Sequence, residues 1–157
     1  MARAGLMPKG KPPPVLALSV QYGIASERLP SRQRLRSWAK SALLTDTQVT
    51  LRLVGGREAR ALNRYFRGKD YATNVLTFAY PDVASLSGDI VLCAPVIARE
   101  ARAQHKPLDA HYAHLVVHGM LHLQGYDHES SNDARVMETL EAEIVAKLGY
   151  ADPYETP

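Results

Sequence analysis

Residues 113–128 read AHLVVHGMLHLQGYDH, and this stretch decides how the chain must fold. Its first eleven residues are apolar side chains, glycine and histidine without a single formal charge, so a helix here would be buried nearly all round. Gln124 and Gly125 then end the helix, because glycine adopts the left-handed conformation that reverses a chain. The stretch therefore predicts a central helix around which other elements pack, followed by a turn that leads back toward it.

The rest of the chain supplies those other elements. Alternating and β-branched apolar residues predict strands at residues 15–22, 48–54, 74–80 and 89–93. Apolar residues at helical spacing predict helices at residues 32–44, 58–66, 95–104, 108–124 and 133–148. Ser31 and Ser130, the latter with Asp133, are candidate N-terminal caps, and Gly149 is a candidate stop. We expect an α+β fold with a small mixed β-sheet of about four strands and about five packed helices.

Size and composition favour one domain. A chain of 157 residues that is 46% hydrophobic can bury one core of its own. We expect residues 1–14, rich in basic residues and proline, to form a flexible tail, and residues 15–155 to form the domain. No stretch approaches the roughly 18 uncharged apolar residues of a membrane span, so a cytoplasmic location is expected. Cys93 lies in an apolar run, which predicts a buried thiol.

The charges are separated along the chain. Residues 1–69 contain 14 Lys and Arg against 3 Asp and Glu, whereas residues 70–157 contain 5 against 13. A basic half suggests an anionic partner, with nucleic acid the first candidate. The alternative is a solvated surface on which the two signs mix once the chain folds.

The histidines of the opening stretch have the spacing of metal ligands. His118 and His122 lie one helical turn apart on the same face, and the turn after Gly125 can return His128 to the same point. Three neutral imidazoles suit one zinc ion with an open position for water, whose pKa falls from about 15.7 to about 7 there. The alternative is that they are core histidines, which is the interpretation we favour for His105, His111 and His114.

The same spacing occurs in the metzincin proteases, whose motif is His-Glu-x-x-His-x-x-Gly-x-x-His. Here Gly119 stands where that motif has its glutamate, the general base, so peptide hydrolysis becomes the second candidate. Hydrolysis of a phosphodiester needs cations for its developing negative charge, and zinc with an arginine can supply them. The residues alone therefore favour a zinc-dependent hydrolase of phosphodiesters.

Several stretches together resemble the YbeY family of bacterial endoribonucleases. The histidine motif HGMLHLQGYDH at residues 118–128 carries most of the resemblance. Further matches are LNRYFRGKD at residues 62–70, TNVLTF at 73–78, Gly88-Asp89-Ile90 and Leu148-Gly149-Tyr150. The resemblance covers roughly residues 15–154.

The resemblance implies a zinc-dependent, single-strand-directed endoribonuclease that acts in 3′-end maturation of small-subunit ribosomal RNA and in ribosome quality control. It implies His118, His122 and His128 as the ligands of one zinc ion, Arg67 as a catalytic residue, and RNA or the small ribosomal subunit as the partner. Two alternatives stay open: a metalloprotease-like hydrolase, and a non-catalytic zinc-containing ribosome-assembly factor.

Other candidate residues have two interpretations each. Arg67 can bind a phosphate through its planar guanidinium, or it can be a cation at a helix end beside Gly68. Arg64 and Lys69 are candidate substrate-binding residues on either side of it. Asp127 can orient an imidazole or cap its turn. The aromatic residues of this region can stack on unpaired bases or belong to the core; they are Tyr65, Phe66 and Tyr71.

Overall fold

The computed structural model describes residues 12–26, 28–80 and 86–155. The strands are β1 (Leu16–Tyr22), β2 (Thr47–Val54), β3 (Val75–Tyr80) and β4 (Leu86–Cys93). The helices are α1 (Arg32–Ser41), α2 (Gly56–Arg67), α3 (Ala94–Ala103), α4 (Leu108–Leu123) and α5 (Ser131–Lys147). All the predicted elements are therefore confirmed. Most of the predicted tail, residues 1–11, lies outside the described residues.

The four strands form one mixed sheet in the order β1-β2-β4-β3. Strands β1, β2 and β4 run parallel, and β3 runs antiparallel to β4 at the sheet edge. Thr77 of β3 lies opposite Ile90 of β4, so their side chains share one face of the sheet. The pairing of Tyr80 with Ser87 explains why β4 begins before the predicted residue 89, in a segment without a strand pattern of its own.

Helices cover both faces of the sheet. Ile90 and Leu92 of β4 belong to the larger core, which α1, α4 and α5 complete. Val91 and Cys93 point the other way and pack in a smaller cluster with residues of α2 and α3. The alternation follows from the two-residue period of a strand. The Cys93 thiol is buried, as predicted, and burial raises its pKa.

Helix α4 is the central helix that the sequence predicts, with most of its residues buried. It approaches the sheet closely at Gly119, where an added Cβ atom would lie 3.0 Å from the Cδ1 and Cγ2 atoms of Ile90. A glutamate at this position would have to displace strand β4 or its side chains. The packing of α4 on the sheet therefore explains the glycine that distinguishes this chain from the metzincin pattern.

Gln124, just beyond α4, ties that helix to α1. Its Nε2 donates to the Ala42 carbonyl at 2.8 Å, and its Oε1 accepts from the Leu44 amide at 2.7 Å. The chain leaves the helical conformation at Ala42, so α1 ends at Ser41 rather than at the predicted residue 44. Within the described parts of the chain, no helix is both long and apolar enough to span a bilayer.

Candidate metal centre

The end of α4 and the turn after it bring the three predicted ligands together. Gly125 has a φ of 108°, and the Tyr126 amide donates to the Leu121 carbonyl at 3.0 Å, which closes the helix end and reverses the chain. His118 and His122 lie on the last turns of α4, and His128 lies beyond the reversal. The ring centroids are 5.8 Å apart for His118 and His122, 5.6 Å for His118 and His128, and 5.5 Å for His122 and His128.

Hydrogen bonds at Nδ1 determine the tautomers of two of these rings. His122 Nδ1 lies 2.7 Å from the Tyr126 carbonyl oxygen, which can only accept, so this nitrogen carries the proton. His118 Nδ1 lies 3.0 Å from the Glu141 carboxylate and donates in the same way. In the neutral rings, both Nε2 atoms are therefore left with a lone pair. An imidazole that binds a metal through one ring nitrogen usually donates a hydrogen bond from the other.

The donor set fits zinc in its chemistry and nearly in its spacing. Three imidazoles bound tetrahedrally to one zinc ion would have ring centroids roughly 5 Å apart, slightly less than the separations found here. As the side chains stand, the described residues contain no group of three His, Cys, Asp or Glu side chains placed to hold a metal ion. The three side chains would have to move from these positions to share one ion.

Glu141 is the main residue of the site that the sequence analysis missed. It lies on α5, its side chain is 1% exposed, and it binds three partners at once. Oε2 accepts from His118, while Oε1 accepts from His114 Nε2 at 2.7 Å and from the Tyr154 hydroxyl at 2.5 Å. One signal was present in the sequence, because the position falls on the buried face of α5 with Met137, Ile144 and Val145.

The environment of Glu141 keeps its carboxyl ionised. Burial opposes the charge, but hydrogen bonds from His114, His118 and Tyr154 outweigh burial and lower the pKa of Glu141 to about 2. Burial and the bond to Glu141 raise the pKa of the Tyr154 hydroxyl, which stays a donor. The site therefore contains a buried anion that binds the Nδ1 atom of His118.

The other histidines divide into two groups. His111 is buried with its Nε2 2.9 Å from the Glu100 carboxylate, so the prediction of a core histidine is confirmed for it, whereas His114 is only partly buried and is held by Glu141. The same prediction was wrong for His105. That residue is exposed in the turn after α3 with a φ of 55°, because the chain reverses there between α3 and α4.

Arg67 is the last residue of α2 and contacts the edge strand rather than an imidazole. Its Nη2 donates to the Thr77 carbonyl at 2.9 Å, and its guanidinium carbon lies 5.8 Å from the centre of the Phe78 ring. Thr77 lies opposite Ile90, which packs under Gly119 next to His118. The helix-end position is thus confirmed, since Gly68 caps α2 in the left-handed conformation. The other donors of the guanidinium are available for a ligand.

The remaining candidates lie at the end of α2 and in the histidine turn. Arg64 and Lys69 are exposed with Arg67 around the end of α2, and Arg64 lines an open depression of about 450 Å³ beside Arg57. Asp127 lies in the histidine turn, where its Oδ1 accepts from the Glu129 amide at 3.3 Å. This contact caps the turn, and none of the hydrogen bonds among the described residues joins Asp127 to an imidazole.

Charges from the two halves of the sequence meet in only some places. Arg34 pairs with Asp109, and Arg60 forms a bidentate pair with Asp70 at 2.8 and 3.1 Å. No ion pair is found for Arg64 or Lys69 within the described part of the chain. The basic half is therefore partly neutralised by the fold, and an exposed group of cations persists near Arg67.

Comparison with known proteins agrees with this architecture. Residues 26–149 match the family model described as Endoribonuclease YbeY. The Endoribonuclease YbeY of Aromatoleum aromaticum is 58% identical over 142 residues, which cover 88% of this chain and 92% of that protein. That of Nitrosomonas eutropha is 57% identical over 137 residues, covering 87% of this chain and 97% of that protein.

A solved structure has the same fold. The solution structure of TM1509 from Thermotoga maritima matches with a TM-score of 0.53 and 28% sequence identity, over 88% of this chain and 99% of that one. The match to the family model takes in the arginine at the end of α2 and all three histidines of the centre. This chain belongs to the YbeY endoribonuclease family.

Proposed function

We propose that this chain is a zinc-dependent endoribonuclease that cuts single-stranded RNA at the centre formed by His118, His122 and His128. The observation that carries the proposal is the pair of fixed tautomers, because His118 and His122 both have their Nδ1 protons engaged and their Nε2 lone pairs available. His128 completes a triangle with nearly equal sides. Membership of a family whose members are named endoribonucleases supports RNA as the substrate.

Each residue of the centre has a distinct task in this proposal. His118, His122 and His128 would hold zinc, which when bound supplies positive charge that stabilises a phosphorane and favours deprotonation of water. Glu141 fixes the ring of His118, and the Tyr126 carbonyl fixes that of His122. A neutral amide in place of Glu141 would remove the charge that accepts from His118 and leave its ring less firmly oriented.

Arg67 is proposed to bind the phosphate that is cut. Its guanidinium is a planar cation that can hold two phosphate oxygens at once. The contact with Thr77 sets where the guanidinium lies, on the edge strand that also contacts α4. An arginine held in this way needs little reorganisation when negative charge develops on the substrate.

The natural substrate is proposed to be ribosomal RNA, with cleavage in the 3′-end maturation of the small-subunit RNA and in ribosome quality control, in the cytoplasm. This part of the proposal follows from the family resemblance. The basic residues that stay exposed near Arg67 support an anionic polymer as partner.

The proposal is tested by cleavage assays on full-length protein with matched histidine variants. The substrates are a single-stranded RNA, a duplex of the same sequence and casein, each with and without a chelator. We expect cleavage of the single strand only, loss of cleavage on chelation, and recovery on adding zinc. His118→Ala should lose metal and cleavage together, whereas His105→Ala, an exposed histidine outside the centre, should match the wild type.

The alternatives give different results in the same assays. Cleavage of casein would favour the metalloprotease, although Gly119 leaves that chemistry without its glutamate base. Zinc bound at one ion per chain without cleavage of any RNA would favour the assembly factor. RNA cleavage that survives chelation and His118→Ala would come from a contaminating ribonuclease or another site, and would overturn the proposal.

A further inference from the structure

Three aromatic rings are in contact where α2 ends beside strand β3. The ring centroids of Tyr65 and Phe66 are 4.7 Å apart with an interplanar angle of 75°, and those of Phe66 and Phe78 are 5.0 Å apart at 59°. We refer to these three residues as the aromatic surface. Tyr65 is 79% exposed and Phe66 57% exposed. Exposure of this extent rules out the core interpretation for both.

The periodicity of α2 explains which rings face water. Ala59 and Asn63 are buried, and Leu62 packs beside the smaller core, so the buried stripe of the helix continues toward Phe66. Tyr65 falls outside this stripe. Its ring therefore contributes little to the core, and contact with Phe66 extends the aromatic surface outward into solvent.

Three cations lie next to the aromatic surface in the sequence. Arg64 and Arg67 flank Tyr65 and Phe66 in the sequence of α2, and Lys69 follows the helix end; all three are exposed. Within the residues that the structure describes, none of them forms an ion pair. Exposed rings and neighbouring positive charges are the two features that bind single strands, because bases stack on the rings while phosphates contact the cations.

We propose that the aromatic surface is a stacking site for unpaired RNA bases, which holds the substrate strand beside Arg67. The inference rests on the proposed function and adds how a single strand is preferred. The bases of a duplex are already stacked on one another, so only unpaired bases can occupy Tyr65 and Phe66. Phosphates next to the stacked bases would contact Arg64 and Lys69.

The sheet topology gives the RNA strand a route from the aromatic surface to the histidines. Phe78 faces the side of the sheet covered by α2, whereas its neighbour Thr77 shares the α4 side with Ile90. Strand β3 forms the edge of the sheet and lies between the side that Phe78 faces and the side that Thr77 faces. An RNA that stacks on Tyr65 and is cut at His118 would pass around this edge, where Arg67 binds the Thr77 carbonyl.

The test measures binding of a fluorescein-labelled, 2′-O-methylated single-stranded oligoadenylate to full-length protein, with a gel to verify that the probe stays intact. Tyr65→Leu and Phe66→Leu should each weaken binding by roughly five- to 150-fold, as expected for loss of one stacked base. An abasic strand of equal length should bind wild type and Tyr65→Leu equally. The matched control is Tyr22→Leu, which removes an exposed ring with Arg32 5.1 Å above it from the opposite edge strand β1.

Salt dependence separates stacking from charge. Tyr65→Leu should leave the slope of log affinity against log salt unchanged, whereas Arg64→Gln should flatten it by about 0.7 for one lost phosphate contact on a single strand. If wild type binds and cuts RNA while both aromatic variants bind the oligoadenylate as tightly as Tyr22→Leu, the stacking site is refuted and the proposed function stands. If wild type neither binds nor cuts RNA, both proposals fail.

Discussion

Arg67 has a structural contact as well as a proposed catalytic one, and its replacement should reveal both. Arg67→Ala removes the hydrogen bond to the Thr77 carbonyl, so we expect the free energy of unfolding to fall by about 0.5–1.5 kcal/mol. Single-turnover RNA cleavage should fall much further, by roughly 10² to 10³, with zinc content unchanged. Cleavage by Arg67→Lys should lie between that of the wild type and that of Arg67→Ala, since lysine keeps the charge and loses the planar fork. Equal cleavage by all three proteins would reduce Arg67 to a helix-end cation.

Glu141 should determine metal affinity although it is not itself a ligand. Glu141→Gln keeps the shape of the side chain but removes the charge that orients His118, so zinc affinity should fall roughly 10- to 100-fold. The matched control is Glu143→Gln, an exposed glutamate on the same helix. Competition with a chromophoric chelator measures both. Tyr154→Phe, which removes one donor to Glu141 and leaves the carboxylate, should give a smaller effect.

Unchanged zinc affinity in folded Glu141→Gln would contradict this assignment. It would mean that Glu141 serves only to satisfy His114 and Tyr154 within the core. Circular dichroism on the metal-free variant distinguishes that outcome from simple unfolding, because a buried carboxylate with three partners also contributes to stability.

His111 should make the stability depend on pH. Burial lowers the pKa of His111 below its ordinary value, although the Glu100 carboxylate opposes this effect. The unfolded chain therefore takes up a proton at a higher pH than the folded chain. Stability due to the neutral ring is complete above the ordinary histidine pKa of about 6.5 and is lost as pH falls below it, by up to about 1.4 kcal/mol per pH unit.

Denaturant unfolding between pH 7 and pH 5 measures this dependence. His111→Gln should show a shallower loss than wild type, since glutamine has no proton to take up. His105→Gln, at an exposed histidine, should follow the wild type. A wild-type slope identical to that of His111→Gln would contradict the prediction.

At the scale of elements, the contact between α4 and β4 depends on one glycine. An added Cβ atom at position 119 would lie 3.0 Å from two atoms of Ile90, closer than ordinary van der Waals contact. Gly119→Ala should therefore cost about 1–3 kcal/mol of unfolding free energy, against a helix-propensity gain of at most about 1 kcal/mol. Gly56→Ala is the control, because nothing lies within 4 Å of a Cβ atom there.

Chemical denaturation of the two variants decides between packing and propensity. Gly56→Ala should be neutral or slightly stabilising. If Gly119→Ala were also stabilising, Ile90 would have moved aside at little cost. Packing against Ile90 would then not explain why glycine rather than glutamate stands at position 119.

The boundaries of these elements illustrate what local sequence can and cannot predict. The N-terminal caps were recognisable, and Ser31 and Ser130 do accept from the amides three residues further on. The end of α1 was not recognisable from local sequence, because Gln124, some 80 residues away, binds the Leu44 amide. The start of β4 likewise depends on pairing with β3 rather than on its own residues.

At the scale of the whole molecule, metal binding should couple to folding. The three ligands come from α4 and the turn after it, which also anchors α1 through Gln124. Zinc at about 1,000 times its dissociation constant should stabilise the fold by about 4 kcal/mol. For a chain of this length, that raises the melting temperature by roughly 8–16 °C.

Differential scanning fluorimetry with elemental analysis tests this coupling. We expect close to one zinc per chain, a melting temperature that rises with added zinc, and loss of the rise in His118→Ala but not in His105→Ala. Protein that contains no transition metal and melts at the same temperature with and without zinc would rule out the metal centre.

The sequence by itself determined the elements, the mixed α+β class and the meeting of His118, His122 and His128. The reason is that these features depend on local geometry: residues four apart share a helix face, and a glycine past the helix end reverses the chain. The family resemblance rests on the same short stretches.

Only the tertiary structure decided what surrounds those histidines. Glu141 reaches His118 across 23 residues of sequence, and Tyr154 reaches Glu141 from beyond the end of α5. The exposure of Tyr65 and the capture of the Thr77 carbonyl by Arg67 likewise depend on how α2 packs beside the edge strand. Such contacts arise from the packing of whole elements, and periodicity within one element says which face is buried but not what will lie against it.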